Sequence, residues 1–239
     1  MRDSDRYQFE TNGYLTLEGA LSKDQLVDLN QALDREFSDR RDTFYSRSDG
    51  THQSVRLLEI EEVFDELIMH TATFDILKGL MNEDIAFSEL SALIKEPGTD
   101  SHAPWHKDIG YDGIPLNQSL LLISCIYYLS DVPDNGACFS VVPGSHRFDR
   151  ERPEVKNLED MPGHTRLSAP AGTAIIFNAN LWHAAMHERS GHERRTVHVY
   201  YCHPWMKPSG HTLFPQRFLD SADTPFLKKF YHENRGAAK

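Results

Sequence analysis

Cysteine is scarce in this chain. Its 239 residues include only Cys125, Cys138 and Cys202. An odd, sparse set gives no disulfide framework. Cys125 and Cys202 lie in apolar runs that suit buried thiols, so a reducing compartment is expected, and the cytoplasm fits. Long hydrophobic runs are missing too. None approaches the roughly 20 apolar residues that a membrane-spanning helix needs, so no membrane partner is expected. The first residues, Met1-Arg2-Asp3-Ser4-Asp5-Arg6, lead into polar sequence, and no secretory signal is expected. The last, Ala237-Ala238-Lys239, are not a peroxisomal address. Positive charge is in deficit, with 25 Lys and Arg against 36 Asp and Glu and a net charge of -11. Binding to phosphate backbones needs a basic face, so a nucleic-acid partner is not expected.

Repeats, low-complexity tracts and Pro/Gly linkers are also lacking. With 39% hydrophobic and 26% charged residues, the composition is that of a globular protein with a sizeable core. A single domain over 1–239 is expected. Oligomeric state is not readable.

What is present changes character along the chain. The first part, about 1–84, reads as helical. Ser22-Lys23-Asp24-Gln25 has the capping-box form, and Leu26, Leu29, Leu33 and Phe37 follow at helical spacing. Thr71 can start a second helix carrying Phe74, Leu77 and Leu80, and Glu61 to His70 suits another. From about 85 to 205, short apolar runs alternate with turn signals. The runs are Ala86–Ile94, Leu120–Leu129, Ala137–Val142, Thr173–Phe177 and Thr196–Cys202. Turns such as Pro133-Asp134-Asn135-Gly136 and Pro170-Ala171-Gly172 separate them. Many short strands with Gly/Pro turns predict an all-β sandwich or barrel. In the extension over 206–239, Thr224 to Arg235 reads as a short helix packing on the outside.

The chemistry concentrates in Trp105-His106-Lys107-Asp108, Leu181-Trp182-His183 and Arg194. On a strand, positions i and i+2 share a face, so His106 and Asp108 would point the same way. With a second imidazole at His183, the set is two nitrogens and one carboxylate oxygen. Such a facial triad suits Fe(II) and leaves coordination positions open. Arg194 could reach the same cavity and pair a carboxylate through two parallel hydrogen bonds. Other roles stand beside these: a surface turn for His106 and Asp108, given Pro104 and Gly110, and a backbone-bonded core histidine for His183.

These residues, with Phe9-Glu10-Thr11-Asn12-Gly13-Tyr14-Leu15, Lys95-Glu96-Pro97-Gly98, Asp134-Asn135-Gly136 and Val142-Pro143-Gly144-Ser145-His146, resemble the phytanoyl-CoA dioxygenase family of Fe(II)/2-oxoglutarate oxygenases. The resemblance runs from about 8 to 210. It implies a mainly β fold with flanking helices around a double-stranded β-helix, the cupin-like jelly roll. It implies iron ligands at His106, Asp108 and His183, and a co-substrate arginine at Arg194, or at Arg195 if the register slips by one. It further implies an O₂-dependent oxidation, most simply a hydroxylation, of a small-molecule substrate with release of succinate and CO₂. Two positions depart from the family pattern: Ala185 stands where many members carry a hydroxyl, and Lys107 where Gln is frequent. Asp108 occupies the position that is Gly or Ala in related halogenases, so oxygenation and not halogenation is expected.

Trp105, Tyr111 and Trp182 neighbour the ligands and are candidates for the substrate pocket; core packing is the other role open to each. His198 shares the strand parity of Arg194 and could face the cavity. Lys95 and Lys107 could hold an anionic group or be solvated surface lysines. His187 and His192 fall in a polar turn and read as exposed, and His146 as structural. Two further readings of the whole chain remain: a cupin-like metalloenzyme that does not use 2-oxoglutarate, and a non-catalytic jelly-roll binding module.

Overall fold

A computed structural model describes residues 1–47, 50–98, 102–109, 119–208 and 214–232. In chain order its elements are α1 (Asp3–Asn12), β1 (Tyr14–Leu17), α2 (Lys23–Asp39), β2 (Tyr45–Ser46), β3 (Thr51–Ser54), α3 (Leu57–Ile60), α4 (Phe74–Leu80), β4 (Ala86–Lys95), β5 (Ala103–His106), β6 (Leu122–Tyr128), β7 (Phe139–Val141), β8 (Thr165–Leu167), β9 (Ala174–Asn178), β10 (His183–Ala185), β11 (Arg194–Cys202), α5 (Gln216–Asp220) and α6 (Pro225–Phe230). The strands pair antiparallel into two sheets. The larger has the order β1-β9-β6-β11-β4-β3-β2, and the smaller β5-β10-β7-β8. The two sheets form the expected jelly roll, with the helices against the larger one.

Adjacent residues of β6 explain why its strand reads as a continuous apolar run. Tyr127 faces the helices. Its hydroxyl bonds Thr73 Oγ1 at 2.6 Å, in a core shared with Leu29, Leu33, Phe64 and Leu77. Tyr128 faces the smaller sheet. Its hydroxyl donates to Leu167 O at 2.9 Å, among Phe139, Ile175, Phe177 and Trp182. A strand covered on both faces has no polar side, so alternation disappears.

The N-terminal part, expected to be helical, is not wholly so. It also contributes β1, β2 and β3. β1 pairs with β9, and β3 pairs with β4. β1 has only four residues, and β3, Thr-His-Gln-Ser, carries no apolar period. Their pairing comes from neighbouring strands and not from local pattern. The capping box at Ser22 forms as predicted, with Gln25 N–H donating to Ser22 Oγ at 3.2 Å. The segment Glu62–Leu67 is a 3-10 helix. The last helix, α6, packs on the outside as expected: Pro225, Phe226, Lys228 and Lys229 are exposed, and Phe230 anchors it in the helix-side core.

Gly13 ends α1 with φ +84°. A Cβ there would stand 2.5 Å from His146 Nδ1. His146 Nε2 in turn bonds Glu10 O at 3.3 Å, and Gly144 N–H donates to Asn12 O at 2.8 Å. Two distant family landmarks therefore pack on each other, and His146 is structural. Among the described residues, no helix is long and apolar enough to cross a membrane.

Candidate metal and co-substrate site

β10 lies between β5 and β7, and His183 is the direct cross-strand partner of His106. Asp108 arrives differently from the expectation. β5 ends at His106, so strand alternation does not carry the carboxylate. Instead the Asp108 N–H donates to Ala179 O at 3.0 Å, which holds the turn beside β10. One ligand atom from each of His106, Asp108 and His183 lies within 4.8 Å of the others. Asp108 Oδ1 stands 3.6 Å from His106 Nε2 and 3.3 Å from His183 Nε2.

The hydrogen bonds around this trio fit a cation. His106 Nδ1 faces Pro104 O at 2.7 Å, and His183 Nδ1 faces Leu181 O at 2.8 Å. A carbonyl only accepts, so each Nδ1 carries the proton. Each Nε2 then faces Asp108, and a metal seated there would take its lone pair and displace any proton it shares with the carboxylate. Asp108 Oδ2 is buried and has no hydrogen-bond partner. Such an orphan is costly unless something absent from the chain satisfies it. Burial alone would raise the Asp108 pKa, but His183 and His106 outweigh it and hold the carboxyl well below the usual range.

The trio opens into a cavity that Arg194 and His198 also line. Arg194 is 4% exposed. It donates from Nη1 to Ala137 O and stands over the Tyr128 ring. Its Nε is buried without a partner, and no carboxylate pairs with it among the described residues. Arg195 points the other way, to Glu193 and to Asp34 at 2.7 Å on α2. The strand register therefore gives the cavity to Arg194. Sequence reading missed Glu188. Its buried carboxylate accepts from Ala137 N–H at 3.1 Å and from Gly191 N–H at 2.9 Å. It thus ties down the residue whose carbonyl receives Arg194. The adjoining Ser190-Gly191 turn was the available signal.

The other candidates divide. His198 lines the cavity, and Ala185 does so without a hydroxyl. His198 Nε2 bonds Thr196 Oγ1 at 3.1 Å. Burial, with Arg194 nearby, pushes its pKa down to about 3, so it is neutral. Lys95 is buried and lines the cavity, so it is not a solvated surface lysine; Lys107 does not line it. Trp105 and Trp182 are not brought to the cavity, because each alternates with a ligand and faces the core. Trp105 Nε1 donates to Leu158 O at 2.9 Å, and Trp182 packs against Phe148. Tyr111 lies outside the described residues. His192 is exposed as expected, whereas His187 is half-buried with its ring 4.3 Å from that of His102.

Comparison with known proteins places this arrangement. The family model "Phytanoyl-CoA dioxygenase (PhyH)" matches residues 9–196. The chain is 24% identical over 179 residues to a protein named dioxygenase af480 from Aspergillus fumigatus, covering 70% of this chain and 54% of that one. It therefore spans about half the length of that relative. It is 21% identical to L-proline trans-4-hydroxylase of Streptomyces griseoviridis, covering 93% of this chain and 94% of the relative. Among solved structures it is similar to HygX from Streptomyces hygroscopicus with nickel and 2-oxoglutarate bound. There the TM-score is 0.75 at 17% identity, over 87% of this chain and 89% of that one. It is also similar to SnoK, a non-heme alpha ketoglutarate dependent carbocyclase from nogalamycin biosynthesis. That match has a TM-score of 0.69 at 21% identity, over 85% of each chain.

Proposed function

The chain belongs to the phytanoyl-CoA dioxygenase family, and from that premise we propose that it is an Fe(II)/2-oxoglutarate-dependent oxygenase. It oxidises, most simply by hydroxylation, a C–H bond of a small-molecule metabolite or biosynthetic intermediate. One observation carries the reading: a single cavity holds the His106, Asp108, His183 trio and a buried arginine, Arg194, that has no carboxylate partner among the described residues.

His106, Asp108 and His183 would hold the iron, and the distal carboxylate of 2-oxoglutarate would lie on Arg194. Iron, 2-oxoglutarate and O₂ together supply the oxidising chemistry, with release of succinate and CO₂. The chain's own residues supply geometry. The Pro104 and Leu181 carbonyls fix both imidazoles. Ala137 O anchors the Arg194 fork and leaves its remaining donors for a carboxylate. Phe139 and Phe177 stand 5.1 and 5.0 Å from the His183 ring, centroid to centroid. They make that wall apolar and keep water from the reacting centre. Neutral His198 can hydrogen-bond a bound molecule without adding charge. Asp108 occupies the third ligand position, which supports oxygenation over halogenation.

Small-molecule substrates are supported by the similar proteins, a proline hydroxylase and a HygX complex that holds hygromycin B. The test is succinate formation from 2-oxoglutarate in air with Fe(II). Slow turnover, lost in Asp108→Ala, is expected even without the primary substrate. Substrate oxidation that proceeds with 2-oxoglutarate omitted would favour a cupin-like enzyme of another class.

A further inference from the structure

Arg194 is held at few points. Its guanidinium is buried, and among the described residues its one hydrogen bond runs from Nη1 to Ala137 O. The centre of the Tyr128 ring lies 5.8 Å away, and Nε has no partner. A planar fork grips a carboxylate through two parallel bonds only when its plane is fixed. The direction of the Ala137 carbonyl therefore governs how Arg194 receives a carboxylate.

Two bonds set that direction. Ala137 N–H donates to Glu188 Oε2 at 3.1 Å. The following peptide, which carries Ala137 O, is held by Cys138 N–H on Gly136 O at 2.7 Å. Glu188 also governs the chain that leads into Arg194. Its Oε1 accepts from Ser190 N–H at 2.6 Å, from Ser190 Oγ at 2.7 Å and from Gly191 N–H at 2.9 Å, just ahead of β11, which begins at Arg194. One carboxylate thus touches both the residue that anchors the Arg194 fork and the turn that delivers its backbone.

Four donors converge on two oxygens, an arrangement that only the ionised carboxylate satisfies. Burial alone would raise the Glu188 pKa, but the donations from Ser190, Ala137 and Gly191 outweigh it and hold the carboxyl below its ordinary value. The two turns have ties of their own. Arg189 N–H donates to Asn135 O at 3.0 Å, and Met186 N–H to Cys138 O at 3.0 Å. Glu188 is therefore not what keeps the turns together; what it adds is the orientation of Ala137.

We propose that Glu188 is a positioning residue for the co-substrate: through Ala137 and the Ser190-Gly191 turn it holds the Arg194 fork in the plane that receives the distal carboxylate of 2-oxoglutarate. This rests on the oxygenase reading and adds a residue that touches neither metal nor co-substrate. A site supported from behind in this way binds more tightly because its geometry is set before the ligand arrives.

The test is a double-mutant cycle on the Kd of 2-oxoglutarate, measured by calorimetry on Zn(II)-loaded protein, which binds without turnover. Glu188→Gln replaces one acceptor by an amide donor and is expected to raise that Kd about tenfold. In an Arg194→Ala background the same change is expected to raise it less than about twofold, because the group through which Glu188 acts is gone. Zn(II) affinity stays within about twofold throughout, since the trio is untouched. Should Glu188→Gln fold poorly, Glu188→Asp replaces it. That variant keeps the charge and can cap its own turn as an Asx-turn, but it is too short for Ala137 N–H, so the same loss is expected. An unchanged Kd in Glu188→Gln or Glu188→Asp, or an equal loss with and without Arg194, overturns the proposal alone. Wild-type protein that binds Zn(II) but no 2-oxoglutarate sinks the oxygenase reading, and the proposal with it.

Discussion

His106 and His183 oppose each other directly across the antiparallel β5–β10 ladder, with ring centroids 4.2 Å apart. Register alone brings them together, since 77 positions separate them in the sequence. A slip of one residue on β10 would turn His183 to the core and put Trp182 in the cavity. The trio therefore depends on the pairing of the smaller sheet as much as on the identity of its residues.

Metal binding is expected to stabilise the fold, because it satisfies the orphaned Asp108 Oδ2. At a metal concentration 100 times Kd the gain is about 2.7 kcal/mol, or roughly 5–10 °C in Tm for a chain of this size. Differential scanning fluorimetry with Zn(II) or Ni(II) measures it. The shift disappears in Asp108→Ala; an equal shift in that variant would place the metal elsewhere.

Truncating Arg194 removes one partner of a buried charge pair. Arg194→Ala is expected to raise KM for 2-oxoglutarate about 100-fold, equivalent to about 2.7 kcal/mol. Arg195→Ala, on the α2 side, leaves that KM within about twofold, in line with a surface ion pair. Initial rates of succinate release distinguish the two; similar effects from both would remove Arg194 from its assigned role.

Trp105 belongs to the core in this structure. Trp105→Phe breaks the bond to Leu158 O and is expected to cost about 1–3 kcal/mol in urea unfolding, with KM for the substrate unchanged. A KM effect at unchanged stability would return Trp105 to the pocket.

His198 makes stability depend on pH. Its pKa lies near 3 when folded and near 6.5 when unfolded. Below about pH 6.5 the unfolded chain binds a proton that the folded chain does not. Stability is therefore complete above 6.5 and falls with acid toward 3. From pH 7.5 to 5.0, metal-free wild type should lose about 2 kcal/mol more than His198→Gln in chemical denaturation. Equal losses would mean that His198 is protonated in the folded state.

The sequence disclosed the chemistry more readily than the framework. The trio and Arg194 were legible because few residue types bind metals or carboxylates, and their motifs sit beside recognisable turns. The strands β4, β6, β9 and β11 were legible as apolar runs, since both of their faces are covered. β1 and β3 were not: one is four residues long, the other polar, and both form because a sheet edge was available. Asp108 was assigned to a strand but is held by a backbone bond to Ala179, a long-range contact that no local pattern encodes. Trp105 and Trp182 were set near the metal by sequence adjacency, although alternation turns neighbours to opposite faces. Glu188 was missed because a buried carboxylate that organises a turn looks like any acidic loop residue.

The measurement that bears most directly on the central claim is an anaerobic titration of Fe(II) and then 2-oxoglutarate, followed through the weak visible charge-transfer band of the chelate. The account predicts a saturable band in the wild type, its loss in His183→Ala, and a much weaker 2-oxoglutarate affinity in Arg194→Ala. Folded, iron-loaded protein that gives no band, or a band indifferent to both substitutions, would contradict the assignment of this cavity to iron and 2-oxoglutarate.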